Sequence, residues 1–281
     1  MYKNKYLKYK AKYLKLKEEL EGGGLVDYMS GNITIPEGTT QIKDNEYSNK
    51  NKISVIIPNT VKTIGNDAFS HNQLTSVIIP DSVTTIGKQA FLDNQLTSVT
   101  IGNSVTTIGG VAFNFNNITS VIIGNSVTTI GYGAFADNKL TSVTIPNSVT
   151  TIGKEAFVRN NLTSVTIGNS VTTIGEGAFT DNKLKSVTIP NSVTTISDNS
   201  FASNKLQSVT IPDSVTTIGE GAFYDNELTS VTIPNSVTKI GVSAFLGNKL
   251  KSVTMPKIFE DKKRYIFGEP NYGRMIQFTY T

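Results

Sequence analysis

The chain has 281 residues, with 38% apolar and only 17% charged residues, so it has enough apolar material for a core. It has no Cys and a single His, His71, which excludes a disulfide framework, a thiolate metal site, a cysteine nucleophile and a His-rich zinc site. The formal charge of +4 is unevenly placed: residues 1–17 hold seven Lys and no acid, residues 257–281 hold five basic and three acidic residues, and residues 18–256 hold 14 basic and 19 acidic.

The first element, residues 1–21, is expected to be a basic amphipathic helix. Tyr2, Tyr6, Tyr9, Tyr13, Leu16 and Leu20 follow a 4-3-4-3-4 spacing with Lys at most other positions, in the tandem YLKYKAK and YLKLKEE. A Gly-containing linker, residues 22–29, starts with Gly22-Gly23-Gly24 and separates it from the body. Three readings stand for this helix: an oligomerising coiled coil, an arm for nucleic acid or an anionic membrane surface, or a solvated leader. A secretory signal is not expected, because the segment lacks an apolar run of about 7–15 residues. No apolar run reaches the roughly 18 residues of a membrane span.

From residue 30 to 256 the chain repeats every 22 residues. Phe recurs at 69, 91, 113, 135, 157, 179, 201, 223 and 245, preceded by Ala everywhere except at Phe201. One unit, Ala134 to Glu155, reads AFADNKLTSVTIPNSVTTIGKE. Val143 and Ile145 alternate with Ser142 and Thr144 as in a half-buried strand, which Pro146 and Asn147 end. Val149-Thr-Thr-Ile152 is a second β-branched stretch, and Lys154-Glu-Ala-Phe157 has room for one helical turn only. No unit buries this apolar set alone, so the units must stack into a repeat solenoid with one continuous core. Eleven rungs run from Pro36 to Pro256, the first (residues 30–51) a degenerate N-terminal cap.

Stacking turns each repeat position into a row. The row Asn72, Asn94, Asn116, Asn138, Asn160, Asn182, Asn204, Asn226 and Asn248 is expected to be a structural ladder bonding backbone groups of neighbouring turns, with a ligand-binding ladder as the alternative. Ser76, Ser98, Ser120, Ser142, Ser164, Ser186, Ser208 and Ser230 occupy one strand position, with Thr100, Thr144, Thr166 and Thr188 two residues on. Together they read as a uniform hydroxyl face without large anchors: a candidate ligand face for many weak contacts, or plain solvated strand residues. Variation concentrates around the Ala-Phe turn instead, at Asn66-Asp67, Lys88-Gln89, Tyr132-Gly133, Lys154-Glu155, Phe115, Val158-Arg159 and Tyr224-Asp225.

Asp93, Asp137, Asp181 and Asp225 recur every 44 residues, as do Gly133, Gly177 and Gly221, a pattern of two-rung duplication. Carboxylates two rungs apart lie about 9.6 Å from one another, too far to share a calcium ion, so no metal or cofactor is expected. His71 has no catalytic constellation around it and the protein reads as non-enzymatic. Glycosylation sequons stand at Asn32, Asn117 and Asn161. Residues 257–281 leave the repeat and read as a C-terminal cap. Tyr265-Ile-Phe267 and Met275–Tyr280 are expected to form strands or a hairpin over the last rung's edge.

The spacing Leu-x-x-Val-x-Ile with Asn two residues before the Leu, followed by V-T-T-I-G-x-x-A-F, resembles the BspA-like leucine-rich repeats of bacterial and protozoan surface proteins. The unit is one residue shorter than in many members, and Asn stands where others often carry Cys. The resemblance implies a leucine-rich-repeat superhelix that binds protein or glycan surfaces. The segment KYLKYKAKYLKLK followed by a Gly run is similar to N-terminal segments of mimivirus-type giant DNA virus proteins. That likeness implies a leader or address, and with it an alternative role as a virion or virus-factory component in which the repeat is a spacer.

Overall fold

In the computed structural model the described residues, 31–268 and 276–281, form a parallel β-solenoid of about eleven turns. The expected N-terminal helix, with Tyr2, Tyr6, Tyr9, Tyr13, Leu16 and Leu20, lies outside the described residues. Each turn carries two strands. In the turn of Phe135 these are Ser142–Thr144 and Thr151–Ile152. All pairing is parallel and, between the repeat turns, sets the same repeat position opposite itself, Ser142 facing Ser164 and Ile130 facing Ile152. That register follows from the period, since a slip of one residue would turn Val and Ile outward.

The core is one axial column. Phe69 to Phe245 are 0–1% exposed and stack face to face, neighbouring centroids 5.1–5.7 Å apart and planes within 16°. This is the offset-stacked range, in which each pair adds about 0.5–1.5 kcal/mol beyond its area burial. The column extends at both ends: Tyr47 stacks on Phe69, and Phe267 on Phe245. Both keep the 22-residue frame. Burial raises the Tyr47 phenol above its ordinary pKa, helped by Glu46.

The C-terminal cap differs from the sequence expectation. Tyr265-Ile-Phe267 is helical, the end of Lys263–Phe267, which follows a 3₁₀ stretch Lys257–Lys262. The helix sends Ile266 and Phe267 inward, into the slots that Ala and Phe fill in a regular turn. Gln277–Tyr280 is a strand, paired parallel to Ser252–Met255 as one further turn and not as a hairpin. Lys263 fastens this turn: its Nζ donates to the Tyr280 hydroxyl at 2.7 Å, which raises the Lys263 pKa, and sits 5.0 Å from the Phe278 ring centroid.

Glycines at 65, 87, 109, 131, 153, 175, 219 and 241 form a row in which the backbones of successive turns touch. A Cβ on Gly109 would meet the Gly87 carbonyl carbon at 2.5 Å, and one on Gly153 the Gly131 carbonyl carbon at 2.7 Å. Position 197 of this row is Ser. The sheet of two-residue strands runs unbroken over seven turns, from Gln41–Ile42 to Thr173–Ile174, then stops and restarts as a three-stranded sheet at Thr195–Ile196. Elsewhere the glycine N–H donates to the Ile carbonyl of the preceding turn, as Gly175 does to Ile152 at 2.9 Å. At the break the Ser197 hydroxyl takes over, donating to Ile174 at 2.6 Å.

Candidate functional site

Each Asn of the ladder is committed to backbone. Asn138 Oδ1 accepts from the Ile118 N–H at 3.0 Å, and its Nδ2 reaches the carbonyls of Phe113, Phe135 and Ala136 at 2.9, 3.2 and 3.0 Å. The same pattern repeats at Asn94, Asn116, Asn160, Asn182, Asn204 and Asn226, all buried. Asn72 bonds Tyr47 in the cap, and Asn248 bonds Phe223 and Phe245. The amides close turns that otherwise leave backbone groups unpaired, and no polar atom of the row is directed at solvent for a ligand.

The hydroxyl face is less uniform than its sequence implies. Ser76, Ser142, Ser164, Ser186, Ser208 and Ser230 are exposed, and Ser98 and Ser120 are half-buried. Two residues on, Thr144, Thr166 and Thr188 are exposed. Thr100 is not: at 6% exposure it lies in the buried set, between Ile78 and Ile122 of the adjoining turns, and it leaves the candidate face. Bulkier Ile neighbours on both sides cover it. In the same row Thr34 precedes Ile56 and Ile78, and Thr is continuous only from Thr144, so the face changes character along the axis.

Other hydroxyls belong to the scaffold. Thr106, Thr128, Thr150 and Thr172 each donate from Oγ1 to the carbonyl 22 residues before, at 3.1–3.3 Å.

The variable turn edge has a backbone explanation. Two positions per turn take positive φ. One holds Asn45, Asp67, Gln89, Val111, Gly133, Glu155, Gly177, Asn199, Gly221 and Ser243; the other holds Asn49, His71, Asp93, Phe115, Asp137, Arg159, Asp181, Ser203, Asp225 and Gly247. Gly, Asn and Asp adopt this region most readily, which gives the use of Asp and Gly at these positions a physical reason independent of any ligand; the positive φ itself recurs every 22 residues, in each turn. Charged side chains on this edge pair from turn to turn. Arg159 grips Asp137 with both nitrogens, the Nη2 contact at 2.8 Å, and Lys154 reaches Glu176 at 3.0 Å. These hydrogen bonds push both cations above their ordinary pKa. His71 Nδ1 lies 3.0 Å from Asp93 Oδ2 of the next turn, both side chains well exposed. Among the described residues no three His, Cys, Asp or Glu side chains converge as a metal site, and no helix is long and apolar enough to cross a membrane.

One outward feature does not stand out in the linear sequence. Four and six residues after each Phe, two rows flank the buried Leu. In the first turns they carry Gln73, Gln95, Thr75 and Thr97, with Lys139 in a middle turn; in the last four they carry exposed Lys183, Lys185, Lys205, Lys249 and Lys251, interrupted by Gln207, Glu227 and Thr229. The strand side thus becomes richer in ammonium groups toward its last turns, while its Ser row stays constant.

A parallel solenoid with an Asn ladder, an axial Phe column and short outward strands is a leucine-rich-repeat architecture. The chain belongs to the BspA type leucine rich repeat family, whose pattern matches residues 39–163 and 150–272. Among solved structures it is similar to a leucine-rich repeat protein from Bacteroides ovatus, at 23% identity and a TM-score of 0.58 over 89% of this chain and 77% of that one. It is also similar to the pneumococcal vaccine antigen PcpA, at 20% identity and a TM-score of 0.51 over 79% and 71% of the two chains. These likenesses concern the fold. No curated protein matches by sequence.

Proposed function

We propose that the protein is a non-enzymatic binding scaffold that holds protein or glycan surfaces along its strand side. The observation that carries this reading is a contrast between rows. Inward rows of Phe, Asn and Gly barely vary and are used up by the fold, whereas the outward rows flanking the buried Leu differ between the first and the last turns, beside a constant Ser row. A spacer has no need of such a difference; a binding face does. Binding by many weak contacts on a regular array suits a ligand that itself repeats. The family's resemblance to surface proteins supports the same class of role.

The test is capture by the immobilised full chain from a cell-surface extract, with and without glycosidase treatment. The variant S142E/S164E/S186E should lose most of the capture, while Tyr132→Ala on the turn edge should keep it. Equal capture by all three chains would remove the strand side from the function.

The Lys/Tyr pattern of residues 1–17 supports a second element, an assembly or targeting arm that makes the scaffold multivalent or brings it to nucleic acid, an anionic membrane or a virus particle. Sedimentation of the full chain against a chain lacking residues 1–24 tests oligomerisation: equal protomer numbers per particle would refute it.

A further inference from the structure

We infer that the strand side of the turns from Phe179 to Phe245 is a docking track for an anionic polysaccharide, a proposal that rests on the binding-scaffold reading and names its ligand class. Lys183 and Lys205 occupy the same row on adjacent turns, and Lys185 lies two residues from Lys183 with its side chain on the same side of the buried Leu184. The backbones are in register there: the Lys205 N–H donates to Leu184 at 3.0 Å and the Gln207 N–H to Lys185 at 3.1 Å. Ammonium groups therefore recur at about the 4.8 Å rung spacing along the axis, and at roughly twice the 3.3 Å residue rise across it. The next turn interrupts the rows with Glu227 and Thr229, and Lys249 and Lys251 follow one turn later. Lys249 is held by Glu227 at 3.2 Å, whereas Lys183, Lys185, Lys205 and Lys251 form no ion pair with a carboxylate among the described residues.

A second row of the same turns, at the turn edge and off the strands, bears Glu176, Asp198 and Glu220 on consecutive rungs, Glu176 held by Lys154 at 3.0 Å. The last third of the solenoid thus keeps its acids and its lysines largely in separate rows even though residues 18–256 carry an excess of acids. A polyanion is repelled from the acidic row and drawn to the lysines, which fixes where along and around the solenoid it lies. Beside the lysines, exposed Ser186, Ser208, Thr188 and Thr210 offer hydroxyls for hydrogen bonds to a sugar.

The chemistry separates this ligand from nucleic acid. Neither lysine row contains an aromatic ring or an arginine in these turns, so there is nothing on which unpaired bases would stack and no planar fork for bidentate phosphate or base contacts. Evenly spaced point charges with hydroxyls alongside suit a sulfated or carboxylated glycan, whose charges also recur along a chain.

The test uses the full chain with the seven lysines of residues 1–17 changed to Gln, so that retention reports the solenoid. It is applied to immobilised heparin as the sulfated polysaccharide, with neutral dextran and a deoxythymidine oligomer as parallel probes. Retention on heparin and none on dextran is expected. The further substitutions K183Q/K185Q/K205Q should lower the eluting salt concentration by at least half, and the slope of log affinity against log salt should fall by about 2–3, given about 0.7–0.9 per cation removed from a charged polymer. Unchanged circular dichroism and melting keep the comparison valid. The proposal is overturned if the triple variant elutes where its parent does, or if the oligomer binds more tightly than heparin and loses as much. A chain that passes through heparin but still captures a partner in the strand-side assay would overturn the polyanion track alone. Failure of both assays would overturn the binding scaffold as well.

Discussion

The turns before and after position 197 have the same interior and different seams. From Thr63–Ile64 to Thr173–Ile174, glycine backbones press together and one sheet runs without interruption; at Ser197 it stops, and beyond it a new sheet begins. The Phe column crosses this fault unbroken, with 5.6 Å between the Phe179 and Phe201 centroids, and so does the Asn ladder, with Leu184 donating to Asn204 Oδ1 at 3.0 Å. One side of the solenoid can therefore part while the other holds. The turn at fault is irregular twice over, since Ser200 replaces the usual Ala and its buried hydroxyl has no hydrogen-bond partner. The glycine row sets the close approach of turns, and the interior sets their order.

Four substitutions would break or sharpen this contrast. The largest effect is expected from Asn204→Ala, which removes the Asn fastening at the fault, where the glycine seam is missing, and leaves the buried Leu184 N–H unpaired. Such a group costs about 1–3 kcal/mol, and urea unfolding should separate into two transitions. Asn138→Ala, in the unbroken part, should cost about 2–3 kcal/mol with a single transition retained, because the glycine seam still joins the turns. Gly109→Ser forces a Cβ against the Gly87 backbone and should cost about 1–3 kcal/mol, the range of overpacking, while creating a second fault visible as faster amide exchange at Gly109 and its neighbours. The smallest effect is a gain. Ser197→Gly should restore the ladder bond to Ile174 and raise stability by about 1 kcal/mol, the net worth of one hydrogen bond, with slower exchange at residue 197. A Ser197→Gly chain whose exchange pattern stayed split at Ile174 would show that the fault has another cause.

The sequence makes the solenoid legible because identical residues face one another: a 22-residue period specifies both the stack and its register. It hides what has no identical partner. Tyr47 and Phe267 continue the Phe column although neither follows an Ala, and only counting 22 from Phe69 and Phe245 finds them. The helix Lys263–Phe267 escapes notice for the same reason: Ile266 and Phe267 look like strand residues until their place in the column is known. Asp and Gly at the turn edge are legible as a pattern, but the positive φ that favours them, present in every turn, is a backbone property. Thr100 reads as one more hydroxyl of the strand side and is buried by neighbours 22 residues away on either side. The lysine rows are the reverse case. Summed charge conceals them, because most of the acids that balance them, Glu227 excepted, lie in other rows.

The strict like-for-like register has one more consequence. A turn threaded one place too early or too late meets contacts almost identical to its own, so the middle of the chain contains little information about which turn is which. The unlike elements supply it: Tyr47 at one end, Phe267 and the strand Gln277–Tyr280 at the other, and the irregular turn Ser197–Ser200 between them. They act as index marks on a ruler whose divisions are otherwise interchangeable. Whole turns, in steps of 22 residues, are thus the natural unit in which such a chain gains or loses length.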